Sequence, residues 1–145
     1  MRKETRCRQL ARGAVRALGA CALAASSIAL AQPPSCEGDA GRRAQSARYT
    51  VPYRFDPQLA VGSHFALLFT VCRRGAPAAP ESVSVDARMP AHGHGMNYQP
   101  SIAALGGGSY RADGLMLHMP GRWELVFVVR EGGRVERIVH ALELQ

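Results

Sequence analysis

The chain has 145 residues, with 18 Lys or Arg against 11 Asp or Glu, a formal charge of +7 and four cysteines. Residues 1–31 hold six of the basic groups and one acidic group, so the remainder carries twelve Arg, no Lys and ten acidic residues, a charge of only +2. That excludes the clustered basic face of a nucleic-acid binder, and the longest apolar run, 14 residues from Leu18 to Ala31, is too short to span a bilayer comfortably.

Residues 1–31 have the form of a secretory signal peptide. A basic stretch from Met1 to Arg16 precedes the apolar run, and Ala29-Leu30-Ala31 supplies the small-x-small cleavage pattern. Cleavage there leaves Gln32 as the new N-terminus of a periplasmic or otherwise exported soluble protein with no membrane span. Leu18-Gly19-Ala20-Cys21 superficially resembles a lipobox and would instead make a lipoprotein. Against that, the apolar stretch lies after Cys21, and Arg12 and Arg16 interrupt what precedes it.

Cys7 and Cys21 leave with the leader, and Cys36 and Cys72 remain. An even pair in an exported domain predicts one disulfide, and closing a loop of this length stabilises by roughly 4 kcal/mol in the chain-entropy model. The alternative, a metal-binding or exchanging dithiol, has no Cys-x-x-Cys spacing to support it.

Residues 32–47 are polar and rich in Gly and Arg, which suggests a flexible N-terminal arm tied down through Cys36. Residues 48–145 are long enough for one small domain. The run Tyr49 to Phe55 has strand character but holds Pro52, which cannot donate to a ladder, so it is expected at a sheet edge. His64 to Val71 is a stronger strand, and Ser82 to Arg88 alternates Val83, Val85 and Ala87 with polar residues. Ser101 to Leu105 is a weak strand ahead of a Gly106-Gly107-Gly108 tip. Ser109 to Met119 is broken by Asp113-Gly114, while Arg122 to Arg130 and Arg134 to Leu144 flank a hairpin signal at Glu131-Gly132-Gly133. No segment after the leader keeps apolar residues at helical spacing. The expected fold is all-β, an immunoglobulin-like sandwich of about seven antiparallel strands.

Two short stretches carry the chemistry. His92-Gly93-His94-Gly95-Met96 and Met116-Leu117-His118-Met119 contain three of the chain's five histidines and three of its five methionines. Imidazole with thioether suits copper, above all Cu(I), because soft sulfur selects soft metals. In extended backbone, residues i, i+2 and i+4 share a side, so His92, His94 and Met96 can converge, and so can Met116 and His118, with Met119 facing away. Structural readings compete at each position. Gly-flanked histidines can simply close a loop, Met89 and Met119 suit strand-end core gaps, and Trp123 suits a sandwich core. His64 and His140 fall within strand patterns, as surface or satisfied core residues. No nucleophile elbow, His-Glu-x-x-His or phosphate loop is present, which argues against an enzyme.

Across Met89 to Met96 and Gly114 to Leu125 the chain resembles the YtkA-like family of exported bacterial domains, itself similar to the periplasmic part of FixH-type proteins. The likeness spans roughly residues 49–144. It implies a copper-resistance-type β-sandwich and an association with bacterial copper handling or respiratory-oxidase assembly. The residues matching the family motif are His92, His94, Met96 and His118, with Met116 and Met119 flanking. The expectation is a periplasmic copper chaperone or scavenger, using a His and Met site for copper as Cu(I) and serving a copper-accepting or respiratory-complex protein. The alternative is a metal-free interaction module that docks on a respiratory or membrane complex.

Overall fold

The computed structural model describes residues 32–37 and 41–145, so the expected signal peptide lies outside the described residues. Eleven strands form two antiparallel sheets: β1 (Arg42–Gln45), β2 (Tyr49–Asp56), β3 (His64–Thr70), β4 (Cys72–Arg73), β5 (Ala76–Pro77), β6 (Ser82–Met89), β7 (His94–Gly95), β8 (Ser101–Gly106), β9 (Ser109–Met116), β10 (Gly121–Glu131) and β11 (Arg134–Leu144). The first sheet runs β5-β4-β2-β3-β9-β8 with β1 added to β2, and the second runs β11-β10-β6-β7. The all-β sandwich is as expected. Seven of the strands have six or more residues, and the other four are too short to leave a period in the sequence. Among the described residues no helix is long and apolar enough to cross a membrane.

Alternation builds both inner faces. Val85, Ala87 and Met89 of β6, Trp123, Leu125, Phe127 and Val129 of β10, and Ile138, Leu142 and Leu144 of β11 are buried on one side. Tyr49, Val51, Tyr53, Phe65, Leu67, Phe69, Ala112 and Leu115 face them from the other sheet.

Three local features differ from the sequence expectation. First, β2 is not an edge strand, because β1 covers one side of it and β3 and β4 the other. The ladder on the β3/β4 side lapses between Thr50↔Cys72 and Tyr53↔Phe69. Val71, in that gap, turns its N–H to the Gly108 carbonyl (2.9 Å) and accepts from the Ala78 N–H (2.8 Å). A proline that cannot donate is tolerated there because its neighbour bonds elsewhere.

Second, the arm is less free than its composition suggests. Arg42–Gln45 is a strand with Ala44 buried in the core. The Thr70 hydroxyl donates to the Pro34 carbonyl and the Arg54 guanidinium to that of Gln32. Cys36 and Cys72 form the expected disulfide, with Cα atoms 5.8 Å apart.

Third, Asp113-Gly114 does not break β9 but bulges it. Phe65 pairs with Leu115 while Leu67 pairs with Ala112, so the register shifts by one residue. Gly114, at φ 88°, takes the left-handed conformation such a bulge demands. A one-residue shift exchanges the faces of everything beyond it. Leu115 and Leu117 therefore enter the core, and Met116 and His118 are left out of it.

Candidate metal centre

β6 ends at Met89, and Pro90 opens a single 3-10 turn over Pro90–His92. Proline suits that position because the first N–H of a helical turn has no partner within it. Gly93 closes the turn in the left-handed region, its N–H reaching the Pro90 carbonyl at 3.3 Å. β7 then folds back along β6, with His94 opposite Met89 and Gly95 opposite Arg88. A Cβ on Gly95 would stand 2.9 Å from the Ala87 carbonyl oxygen, so the return strand lies this close only because the residue is glycine. The Met96 N–H donates to that same carbonyl at 2.9 Å. The two glycines of the motif thus do different work, one making the reversal and the other the close approach.

Opposed residues of an antiparallel pair share a face. His94 therefore faces the same way as buried Met89, but at the open margin of the sheet, where it stays exposed. His118 reaches that margin from the other sheet, in the crossing between β9 and β10. The Leu117 carbonyl is held by the Gly62 N–H at 2.8 Å, and the Met119 carbonyl accepts the Trp123 indole N–H at 3.0 Å.

The result is a cluster of rings. The His92 and His94 centroids lie 5.8 Å apart, and those of His94 and His118 5.1 Å. Trp123, wholly buried, meets His94 at 6.0 Å and His118 at 5.5 Å, edge to face in both cases. It is both the core anchor expected of it and the aromatic floor of the cluster. Among the described residues no hydrogen bond or ion pair holds any of these three imidazoles. Beside them, Arg88 and Glu124 pair at 2.7 Å and, with His94 and both glycines, line a depression of about 400 Å³.

The methionines are arranged differently from the histidines. Met96 and Met119 are half-buried and pack against the core, so their thioethers are not simply presented alongside the rings as the i, i+2 spacing suggests. Met116 stands on β9 opposite His64.

The ring spacing fits a shared metal. A nitrogen about 2.0–2.1 Å from a metal puts its ring centroid about 3.2 Å away, so two rings spread by about 110–120° stand about 5.2–5.5 Å apart. The observed 5.1 and 5.8 Å bracket that range. Among the described residues, however, no group of three or more His, Cys, Asp or Glu side chains is already arranged to hold a metal ion. A metal shared by these rings would require rotation of the exposed imidazoles, a fast motion at a surface.

The other two histidines have partners. His64 packs its ring 5.5 Å from that of Tyr98. His140 lies 2.8 Å from the Tyr53 hydroxyl through Nδ1. Burial, and then the charge of Arg42, hold the His140 pKa below its usual value, while burial pushes that of Tyr53 far up. Both shifts keep the phenol and the imidazole neutral, and the imidazole tautomer sets which of the two donates.

A family model described as YtkA-like matches residues 43–127. No curated protein matches. Among solved structures, a DUF4426 family protein from Pseudomonas aeruginosa PAO1 is similar at 11% identity, with a TM-score of 0.48 over 71% of this chain and 96% of that one.

Proposed function

We propose that this chain, which belongs to the YtkA-like family, is an exported copper-binding protein of the chaperone or scavenger kind. What supports this reading is the exposed cluster of His92, His94 and His118, whose nitrogens no hydrogen bond or ion pair occupies among the described residues.

The imidazoles would supply two or three ligands, and a thioether from Met96 or Met119 would favour Cu(I) over zinc. Neither donor type needs a thiol to lose its proton, so the site would work where Cys36 and Cys72 are paired. Exposure of the ligands would allow them to be exchanged one at a time with an accepting protein. A binding role, and not catalysis, matches this donor set.

The test is a Cu(I) titration against a chromophoric chelator, using the wild type and a His92→Asn/His94→Asn variant. The proposal expects the wild type to compete for copper and the variant to lose the histidine-cluster site. A folded wild type that fails to compete would leave a metal-free interaction module.

A further inference from the structure

His64 and Met116 form a second juxtaposition of imidazole and thioether, on different elements from the histidine cluster. They are register partners on β3 and β9. Their neighbours Phe65 and Leu115, also partners, are buried, so alternation sends His64 and Met116 to the opposite face of the sheet. Side chains directly opposed in an antiparallel pair have Cβ atoms about 4.5–5.5 Å apart, within the span of a two-coordinate metal held by an imidazole nitrogen and a thioether.

Two observations separate this pair from an accident of register. Among the described methionines, Met89 lies in the core and Met96 and Met119 pack against it, which leaves Met116 as the one whose sulfur core packing does not claim. The His64 nitrogens also make no hydrogen bond or ion pair among the described residues, and the ring meets only that of Tyr98, at 5.5 Å and 69°. Tyr98 comes from the segment between β7 and β8 and is itself 43% exposed. It gives the pair an aromatic wall, a surface that polarizable sulfur also favours.

We infer that His64 and Met116 form a second Cu(I) site, distinct from the three-histidine cluster. The inference takes its metal from the proposed function but rests on other residues. The bulge at Asp113-Gly114 serves both sites, because it turns Met116 and His118 out of the core together. Two residues of extended chain separate them by about 6.5 Å, so two ions would sit on either side of Leu117.

The test uses the His92→Asn/His94→Asn variant, in which the cluster is disabled. Silver(I), a redox-inert stand-in for Cu(I), is added to protein with labelled methionine methyl groups and followed by NMR. The Met116 methyl is expected to shift while those of Met89, Met96 and Met119 hold still. The same variant should retain one equivalent of Cu(I), lost when His64→Asn is added. A Met116 methyl that does not move would overturn the second site. Wild-type copper binding alongside a still Met116 would remove this site alone, whereas a wild type that binds no copper at all would remove both readings.

Discussion

Where β10 turns into β11, Glu131 accepts from the Tyr49 hydroxyl and pairs with Arg73 at 2.9 Å, while Glu81 receives the Gly132 N–H at 3.0 Å. At the opposite end of the same strand, Trp123 lies under His94 and His118, with His92 beside His94, and among the described residues no hydrogen bond or ion pair ties those three imidazoles down. One end consumes its polar groups in holding the sandwich together, and the other pairs Arg88 with Glu124 but leaves its imidazoles uncommitted. A binding site needs the second arrangement, because a nitrogen already committed to a protein partner must give it up before it can take a metal.

The contrast is sharpest where the two roles meet, at Trp123. Trp123→Ala empties a wholly buried position and should cost about 3–5 kcal/mol in denaturant unfolding. Trp123→Phe should cost much less and lose chiefly the bond to the Met119 carbonyl. As the chain's single tryptophan, it should also lose fluorescence when copper enters the cluster. Unchanged emission at saturating copper would put the metal elsewhere.

Replacing Cys36 and Cys72 with Ser should cost about 2–4 kcal/mol through the freed unfolded chain. Copper affinity should hold, because the bridge fastens the arm to the outward side of β4 and touches neither ring cluster. A variant that stayed folded but lost copper would break the separation between structural and binding parts.

Smaller effects separate the two ends directly. Glu131→Gln weakens a charge-assisted bond to Tyr49 and should destabilise by about 1–2 kcal/mol with copper binding intact. His92→Asn/His94→Asn should do the reverse, changing stability by less than about 0.5 kcal/mol while abolishing the cluster's affinity. Denaturant midpoints and chelator competition on both variants make the comparison two-sided.

The least effect expected comes from pH. The folded-state pKa of His140 lies below its usual 6.5, so the unfolded chain binds the proton more readily. The stability linked to burying a neutral His140 beside Arg42 is therefore present above about pH 6.5 and declines as the pH falls from there through the lowered value. Unfolding midpoints at pH 7.5 and 5.5 should differ in that direction, and less so in Arg42→Gln, which removes the neighbouring charge. A midpoint that rises on acidification would contradict a lowered pKa for His140 in the folded chain.

Much of the fold was readable because alternation is local. Val83, Val85 and Ala87, or the pairing of Arg122 to Arg130 with Arg134 to Leu144, need only neighbouring residues to be recognised. β1, β4, β5 and β7 were not, since strands of two to four residues carry no period. Pro52 misled for a related reason, because its missing N–H says nothing of whether a neighbour such as Val71 bonds elsewhere. At the candidate site, the residue types and spacing of His92 and His94 were legible. Their meeting with His118 depends on a bulge at Asp113-Gly114 and on a crossing between sheets. The glycine inside a strand was the available signal for that bulge. The contact of Trp123 with two imidazoles had no signal at all, since a core tryptophan looks the same whatever lies at its edge.

If histidines from two distant segments act as one site, His118 is the residue whose loss should show it. Cu(I) affinity would be measured by chelator competition for wild type, His94→Asn, His118→Asn and the double variant. Each single substitution should weaken the cluster at least about tenfold, and the double variant should be far less than additively worse, as expected when ligands share one ion. A His118→Asn protein with wild-type affinity would contradict it and reduce the site to the His92–Met96 loop alone.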